Sequence, residues 1–202
     1  MDLATLLLFA AALFVNAGSP GPGVLALVAR VTAVGLRPVL PFLLAFWIGE
    51  LLWLVAAVLG LSALALAFHE VFVVLKWLGV GYLAWLAWRM WVRPVEPAGE
   101  LPRAESGWAT FLAGFALTLG NPKIMVFYVA LLPSLVDLRA VTPLGLAELV
   151  ATALLVMMVV DLGWAGAAAW ARRWLRTARA QRVASRVGAT AMGGAAVAIA
   201  TR

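Results

Sequence analysis

The chain has 202 residues, of which 65% are hydrophobic and 12% are charged, a balance that excludes an ordinary soluble domain. It has no Cys and one His, which excludes disulfides and thiolate metal sites and disfavours His-based metal sites. The net charge of +6 comes mostly from Arg in the connections between apolar segments, so it indicates membrane orientation and not binding to nucleic acid.

Six long apolar segments follow one another along the chain, and a helix of about 20 residues crosses the hydrocarbon of a bilayer. They cover residues 3–29, 39–68, 71–92, 108–134, 143–170 and 183–200. We therefore predict an all-α integral membrane protein with six transmembrane helices and no cofactor. The first segment lacks the positive leading region of a signal peptide, so we expect it in the mature protein. The last is mostly Ala and Gly, which leaves open a five-helix protein with a peripheral sixth segment.

Arg residues concentrate in alternate connections. Arg30 and Arg37 lie in the first, Arg93 and Arg103 in the third, and a basic run over residues 172–186 in the fifth. The positive-inside rule places these connections in the cytoplasm and both termini outside. We expect the basic run to lie against anionic lipid, and a docking site for a partner is the alternative.

A polar linker at residues 93–107 divides this single transmembrane domain, residues 1–202, into halves of three helices each, residues 1–92 and 108–202. Because three is an odd number, duplicated halves insert with opposite orientations, as in many secondary transporters. Gly18-Ser19-Pro20 in the first helix matches Gly120-Asn121-Pro122 in the fourth, and an acid followed closely by Trp recurs at Glu50 and Asp161. These matches predict two inverted three-helix repeats.

Gly and Pro interrupt the first and fourth predicted helices near mid-membrane. Pro lacks an amide hydrogen, so each break frees backbone groups that lipid cannot satisfy. A simple kink would explain either break alone, but two matching breaks favour a binding site. The half-helix after each break presents amides to an anion, and freed carbonyls can face an ammonium, which suits a zwitterionic amino acid. The candidate substrate-binding residues are Ser19, Pro20, Gly21, Pro22, Asn121, Pro122 and Lys123.

Charged residues are also predicted inside the membrane. Glu50 and Asp161 lie roughly 16 to 20 Å from the cytoplasmic ends of their helices at about 1.5 Å per residue, near the midplane. Charge is expensive there, so a functional role is the default and structural ion pairs, such as an acid with Lys123, are the alternative. We assign both acids to ammonium binding or coupling. Lys76 is a further coupling or gating candidate that could instead extend outward.

These features resemble the LysE/RhtB family of amino-acid exporters. The resemblance covers nearly the whole chain and is carried by the motifs at residues 20–22 (Pro-Gly-Pro), 49–50 (Gly-Glu), 75–79 (Leu-Lys-Trp-Leu-Gly) and 120–123 (Gly-Asn-Pro-Lys). It implies export of amino acids or their derivatives from the bacterial cytoplasm, coupled to an ion, for which we expect protons. It also implies a compact six-helix core and a homo-oligomer, for which we expect a dimer.

We expect alternating access around a midplane cavity between the two breaks. Amides after Pro22, the Asn121 side chain and the Lys123 ammonium would bind the substrate carboxylate. One alternative is a divalent metal-ion exporter of a related fold, which two carboxylates without Cys or an inward His disfavour. Another is a membrane enzyme or scaffold, and Ser19 has no His near it in sequence to act as a base.

Overall fold

The computed structural model describes residues 1–60 and 106–172 together with scattered helical residues between 77 and 92 and between 183 and 197. The elements in the two continuous ranges are all helical, which confirms the predicted all-α class there. They are α1 (Leu3–Gly18), α2 (Pro22–Val34), α3 (Leu40–Val58), α4 (Gly107–Leu119), α5 (Pro122–Val126), a π-helix (Phe127–Leu131), α6 (Leu132–Leu135) and α7 (Pro143–Arg172), with short 3-10 helices at Arg37–Val39 and Leu138–Ala140. The third and sixth predicted helices and the linker fall largely outside the described residues.

Two helical stretches, Arg37–Val58 and Pro143–Arg172, are long and apolar enough to cross a membrane. Two bent pairs raise the number of candidate spans to four if each pair forms one span, α1 with α2 and α4 with the helices from Pro122 to Leu135. The six-helix count therefore stays a prediction. The second apolar segment, predicted to run to residue 68, contains a helix end at Val58, after which Gly60 adopts a φ of +74° that favours glycine.

The bends occur where the sequence has its Gly and Pro breaks. The chain turns by 56° between α1 and α2 and by 48° at the second break. Gly21 is the N-cap of α2 and Asn121 is the N-cap of α5, and each is followed by Pro at the first helical position. Pro suits that position because the first amides of a helix have no partner within the helix. The two breaks therefore have the same local construction.

The π-helix has a cause in the sequence that follows it. Pro133 lacks the amide hydrogen that would bond the Val129 carbonyl in a regular α-helix. The wider π-turn over Phe127–Leu131 lies directly before this position. It carries the buried side chains of Phe127 and Tyr128 toward the interior.

Glycine allows α3 and α4 to pack closely. A Cβ added at Gly49 would lie 2.8 Å from Cγ2 of Thr118, and one at Gly114 would lie 2.8 Å from the Phe42 carbonyl oxygen. Both distances are too short for a side chain, so the two glycines set the separation of these helices. This packing holds the fourth predicted span, which contains the second break, against α3, which contains Glu50.

Buried apolar side chains form two clusters, one on each side of the breaks. The first cluster includes Ala26, Leu27, Val31, Phe42, Leu43, Phe46, Leu117, Ala165 and Ala168. The second cluster includes Phe9, Leu13, Trp53, Leu54, Ile124, Phe127, Tyr128, Leu132, Leu149, Ala153 and Met157. Within a bilayer, such side chains hold helices together by close packing, since lipid tails are as apolar as the side chains.

The order in which the chain visits the clusters differs between the halves. The first broken helix runs from the second cluster to the first, and the second broken helix runs from the first to the second. In the same way α3 runs from the first cluster to the second, whereas α7 runs from the second to the first. The order in which these described helices visit the two clusters is thus reversed between residues 1–60 and residues 106–172.

Candidate functional site

The two breaks are in direct contact through Lys123. Its ammonium donates hydrogen bonds to the Ser19 carbonyl oxygen at 2.8 Å and to the Ser19 hydroxyl oxygen at 3.2 Å. Gly21 leaves room for the lysine stem, because a Cβ there would lie 3.4 Å from Cδ of Lys123 and 3.3 Å from its Nζ. One carbonyl freed by the first break is therefore satisfied by a side chain from the second.

The end of α1 turns its polar groups toward this contact. The Ser19 amide still donates to the Val15 carbonyl, and the Ser19 hydroxyl donates to the Asn16 carbonyl at 2.8 Å. The hydroxyl oxygen is thus oriented with its lone pairs available to the lysine. Ser19 and Pro20 are exposed, while Lys123 is half-buried.

Asn121 is built into the second break. Its side-chain oxygen accepts a hydrogen bond from the Lys123 amide at 3.1 Å, which caps α5. The side chain is only 4% exposed. Its amide nitrogen lies beside the first break, 3.8 Å from where a Cβ of Gly23 would be. Asn121 therefore has a structural role at the cap, in addition to the substrate contact that we expect from the sequence.

Both predicted acids are buried, and each accepts a hydrogen bond from an aromatic side chain of the opposite half. Glu50 is 8% exposed and Asp161 is 6% exposed. The Trp47 indole donates to Asp161 at 3.0 Å, and the Tyr128 hydroxyl donates to Glu50 at 3.4 Å. The partners cross between the halves in both directions. Each buried acid thus depends on the other half of the chain for its hydrogen bond.

The acids lie at the boundary between the two apolar clusters. Glu50 lies one helical turn from Phe46 of the first cluster and one turn from Leu54 of the second, and Trp47 packs against both. Asp161 occupies the same position in α7, between Met157 and Ala165. We call Glu50, Asn121, Lys123, Tyr128 and Asp161 the polar layer.

Charge in the polar layer is not balanced by lysine alone. Lys123 is close enough to interact electrostatically with both Glu50 and Asp161, and the two carboxylates repel each other when both are ionised. Among the described residues no ion pair joins Lys123 to either acid, so the structural pair that the sequence left open is not formed here. With both acids ionised, these three groups carry two negative charges and one positive charge. A proton or a bound ammonium would neutralise the difference.

The structure thus brings together most of the residues that the sequence singles out. Lys76 lies outside the described residues, so its assignment stays a prediction. Trp47 and Tyr128 were not predicted as site residues, because Trp in a membrane protein is usually an interfacial anchor or a packing residue. One signal was available for Trp47, since it precedes Glu50 by three residues and so lies on the same helical face.

Comparison with known proteins agrees with the resemblance seen in the sequence. The family profile described as LysE type translocator matches residues 13–202. The chain is 30% identical over 120 residues to an uncharacterized membrane protein of Synechocystis, an alignment that covers 58% of each protein. It is 34% identical over 166 residues to the chemotactic transduction protein ChpE of Pseudomonas aeruginosa, covering 78% of this chain and 77% of the relative.

A further relative is named for a transport activity. The chain is 31% identical over 123 residues to the cysteine/O-acetylserine efflux protein of Klebsiella pneumoniae, and the alignment covers 60% of each protein. The matched part is thus less than two thirds of the efflux protein and of the Synechocystis relative. No solved structure matches the chain significantly. Because the family profile covers nearly the whole sequence, the chain belongs to the LysE type translocator family.

Proposed function

We propose that this protein is a secondary active exporter of amino acids or amino-acid derivatives, driven by protons and working by alternating access. Membership of a translocator family and similarity to a cysteine/O-acetylserine efflux protein support export of a small amino acid. The observation that carries the proposal is the polar layer, in which two buried acids and a lysine meet at two broken helices. Ionisable groups within transmembrane helices are costly and typically mark solute or proton pathways.

We further propose the inverted six-helix arrangement that the sequence predicts. It is supported by the opposite order in which corresponding helices visit the two apolar clusters. The reciprocal hydrogen bonds of Glu50 and Asp161 with the opposite halves support the same plan. In such transporters the two repeats move relative to each other around a central site. Contacts that cross between the halves are then the ones that change during transport.

Substrate binding is assigned to both breaks. Amides after Pro22, together with Asn121 and Lys123, bind the substrate carboxylate, since the start of a helix favours an anion. Glu50 and Asp161 bind the ammonium or carry the coupling proton, because the polar layer is one positive charge short of neutral when both acids are ionised. Lys76 remains assigned to coupling or gating from its sequence position alone.

The setting we propose is the bacterial inner membrane, with both termini in the periplasm and a homodimer as the assembly. We propose no enzymatic activity. The divalent metal exporter remains the competing function. In the part of the chain that the structure describes, no group of three His, Cys, Asp or Glu is placed to hold a metal ion, and transport measurements decide between the two.

The function is tested by uptake of radiolabelled solutes into inverted membrane vesicles that contain the protein. We expect uptake of at least one amino acid above that of vesicles without the protein, and no uptake of divalent metals. Cells that overproduce the protein are first screened for resistance to toxic amino-acid analogues. The amino acids that correspond to those analogues are then the first to be tested. Uptake of metals without uptake of any amino acid would contradict the proposal.

A further inference from the structure

The Ser19 carbonyl and hydroxyl are arranged to hold a primary ammonium group. The carbonyl oxygen lies 2.8 Å and the hydroxyl oxygen 3.2 Å from the Lys123 nitrogen. An ammonium carries three donors and no acceptor, so it suits a site made of oxygens that accept. The carbonyl is at the end of α1, where backbone oxygens have no partner in the helix and the helix dipole favours a positive charge. The seated lysine shows that a primary ammonium fits these oxygens.

The hydrogen bonds of Lys123 are inconsistent with a role as a fixed counter-ion for either buried acid. Its ammonium has two carboxylates close enough for electrostatic attraction, yet its hydrogen bonds go to neutral oxygens of the first break. The contact is on the exposed side of the break, where Ser19 is open, while the acids are buried. A flexible lysine stem can leave such a position without moving the backbone.

We propose that Ser19 is the ammonium subsite of the transported solute and that Lys123 occupies it when no solute is bound. The inference rests on the proposed export function and specifies where the substrate ammonium binds. The incoming ammonium takes the place of the lysine ammonium on the Ser19 oxygens. Lys123, released, pairs with the substrate carboxylate. Solute binding thereby replaces the direct bridge between the breaks with a bridge through the solute.

This exchange predicts a specific effect of removing the lysine charge. An internal occupant reduces the apparent affinity of a competing ligand to the intrinsic affinity multiplied by the fraction of time that the site is free. Lys123→Met should therefore bind serine methyl ester, which has an ammonium but no free carboxylate, about tenfold more tightly than the original protein if the lysine fills the site about nine tenths of the time. N-acetylserine, which has a carboxylate but no ammonium, should bind less tightly to the same variant.

Calorimetric titration of the purified full-length protein in detergent measures both ligands without requiring transport. Lys123→Arg keeps a cation that can occupy Ser19 and should not gain affinity for the ester. Arg139→Met removes a cation from an exposed position of the 3-10 helix Leu138–Ala140 and is the matched control for the change in charge. If Lys123→Met does not fold, Lys123→Gln is measured instead and must also gain affinity for the ester.

The two possible failures are distinguishable. Unchanged or weaker ester binding in a folded Lys123→Met or Lys123→Gln variant overturns the exchange, even if the original protein exports amino acids. Equal gains in Lys123→Met and Arg139→Met would also overturn it, since the effect would then be one of net charge. Absence of amino-acid uptake by the original protein contradicts the proposed function, whatever the variants bind.

Discussion

At the scale of single residues, the two buried acids differ in how firmly they are held. Trp47 donates to Asp161 at 3.0 Å, whereas Tyr128 donates to Glu50 at 3.4 Å. The shorter bond lies within the usual range for N–H···O hydrogen bonds, and the longer one is beyond the usual range for O–H···O hydrogen bonds. Asp161 is therefore expected to depend more strongly on its aromatic donor than Glu50 does.

Replacement of Trp47 by Phe tests this dependence. The variant keeps an aromatic ring but leaves one Asp161 oxygen without its hydrogen-bond donor. Leaving a buried polar group without a partner costs about 1 to 3 kcal/mol of free energy. We expect transport to fall by about tenfold or more, the factor that 1.4 kcal/mol represents, and Tyr128→Phe to have a smaller effect. Initial uptake rates in vesicles measure both. Trp108→Phe alters an exposed Trp and is the control, and equal effects of all three changes would refute the assignment.

At the scale of helices, the sequence predicted the breaks but not their surroundings. Gly18 to Pro22 and Gly120 to Pro122 are visible because Gly and Pro act on the backbone of their own helix. Contacts such as Lys123 with Ser19 join residues far apart in sequence, and no local pattern contains them. The end of α3 at Val58 was not predicted either. Gly is frequent throughout the chain, so Gly60 by itself does not mark a turn within an apolar segment.

The close approach of α3 and α4 gives a prediction about stability. Gly49→Ala places a methyl group 2.8 Å from Cγ2 of Thr118, and such overpacking costs about 1 to 3 kcal/mol. We expect a lower midpoint of thermal unfolding for the protein in detergent. Adding Thr118→Ser removes the clashing methyl but keeps the hydroxyl that donates to the Gly114 carbonyl, so it should recover part of the loss.

A matched glycine is available as the control. Gly163 lies in α7 with no atom within 4 Å of an added Cβ, so Gly163→Ala should leave the midpoint unchanged or raise it slightly. If Gly49→Ala is as stable as Gly163→Ala, the two helices do not pack as described. A loss that Thr118→Ser does not reduce would place the strain elsewhere.

At the scale of the whole molecule, composition alone determined the class of protein, and the family profile confirmed the family resemblance. Hydropathy and the distribution of Arg predict helices and orientation because both reflect the membrane itself. The polar layer required the three-dimensional structure, since its members come from both halves. Its two acids were nevertheless predictable, because charge within a long apolar segment is rare and costly.

The absence of Cys from the chain makes its orientation simple to test. Single-Cys variants Gly107→Cys and Arg139→Cys place a thiol at opposite ends of the fourth predicted span, at exposed positions. In intact cells we expect a membrane-impermeant maleimide to label position 139 and not position 107, and inverted vesicles should give the reverse. Labelling of both positions from the same side would contradict the predicted topology.

Proton-driven uphill transport in proteoliposomes tests most directly whether export depends on the polar layer. With an imposed proton gradient and a labelled amino acid that the original protein carries, Glu50→Gln and Asp161→Asn are compared with Glu148→Gln, which changes a partly exposed acid paired with the amino terminus. If the buried acids couple transport, both variants lose uphill accumulation while Glu148→Gln retains it. Accumulation by both buried-acid variants equal to that of the original protein would contradict the coupling role.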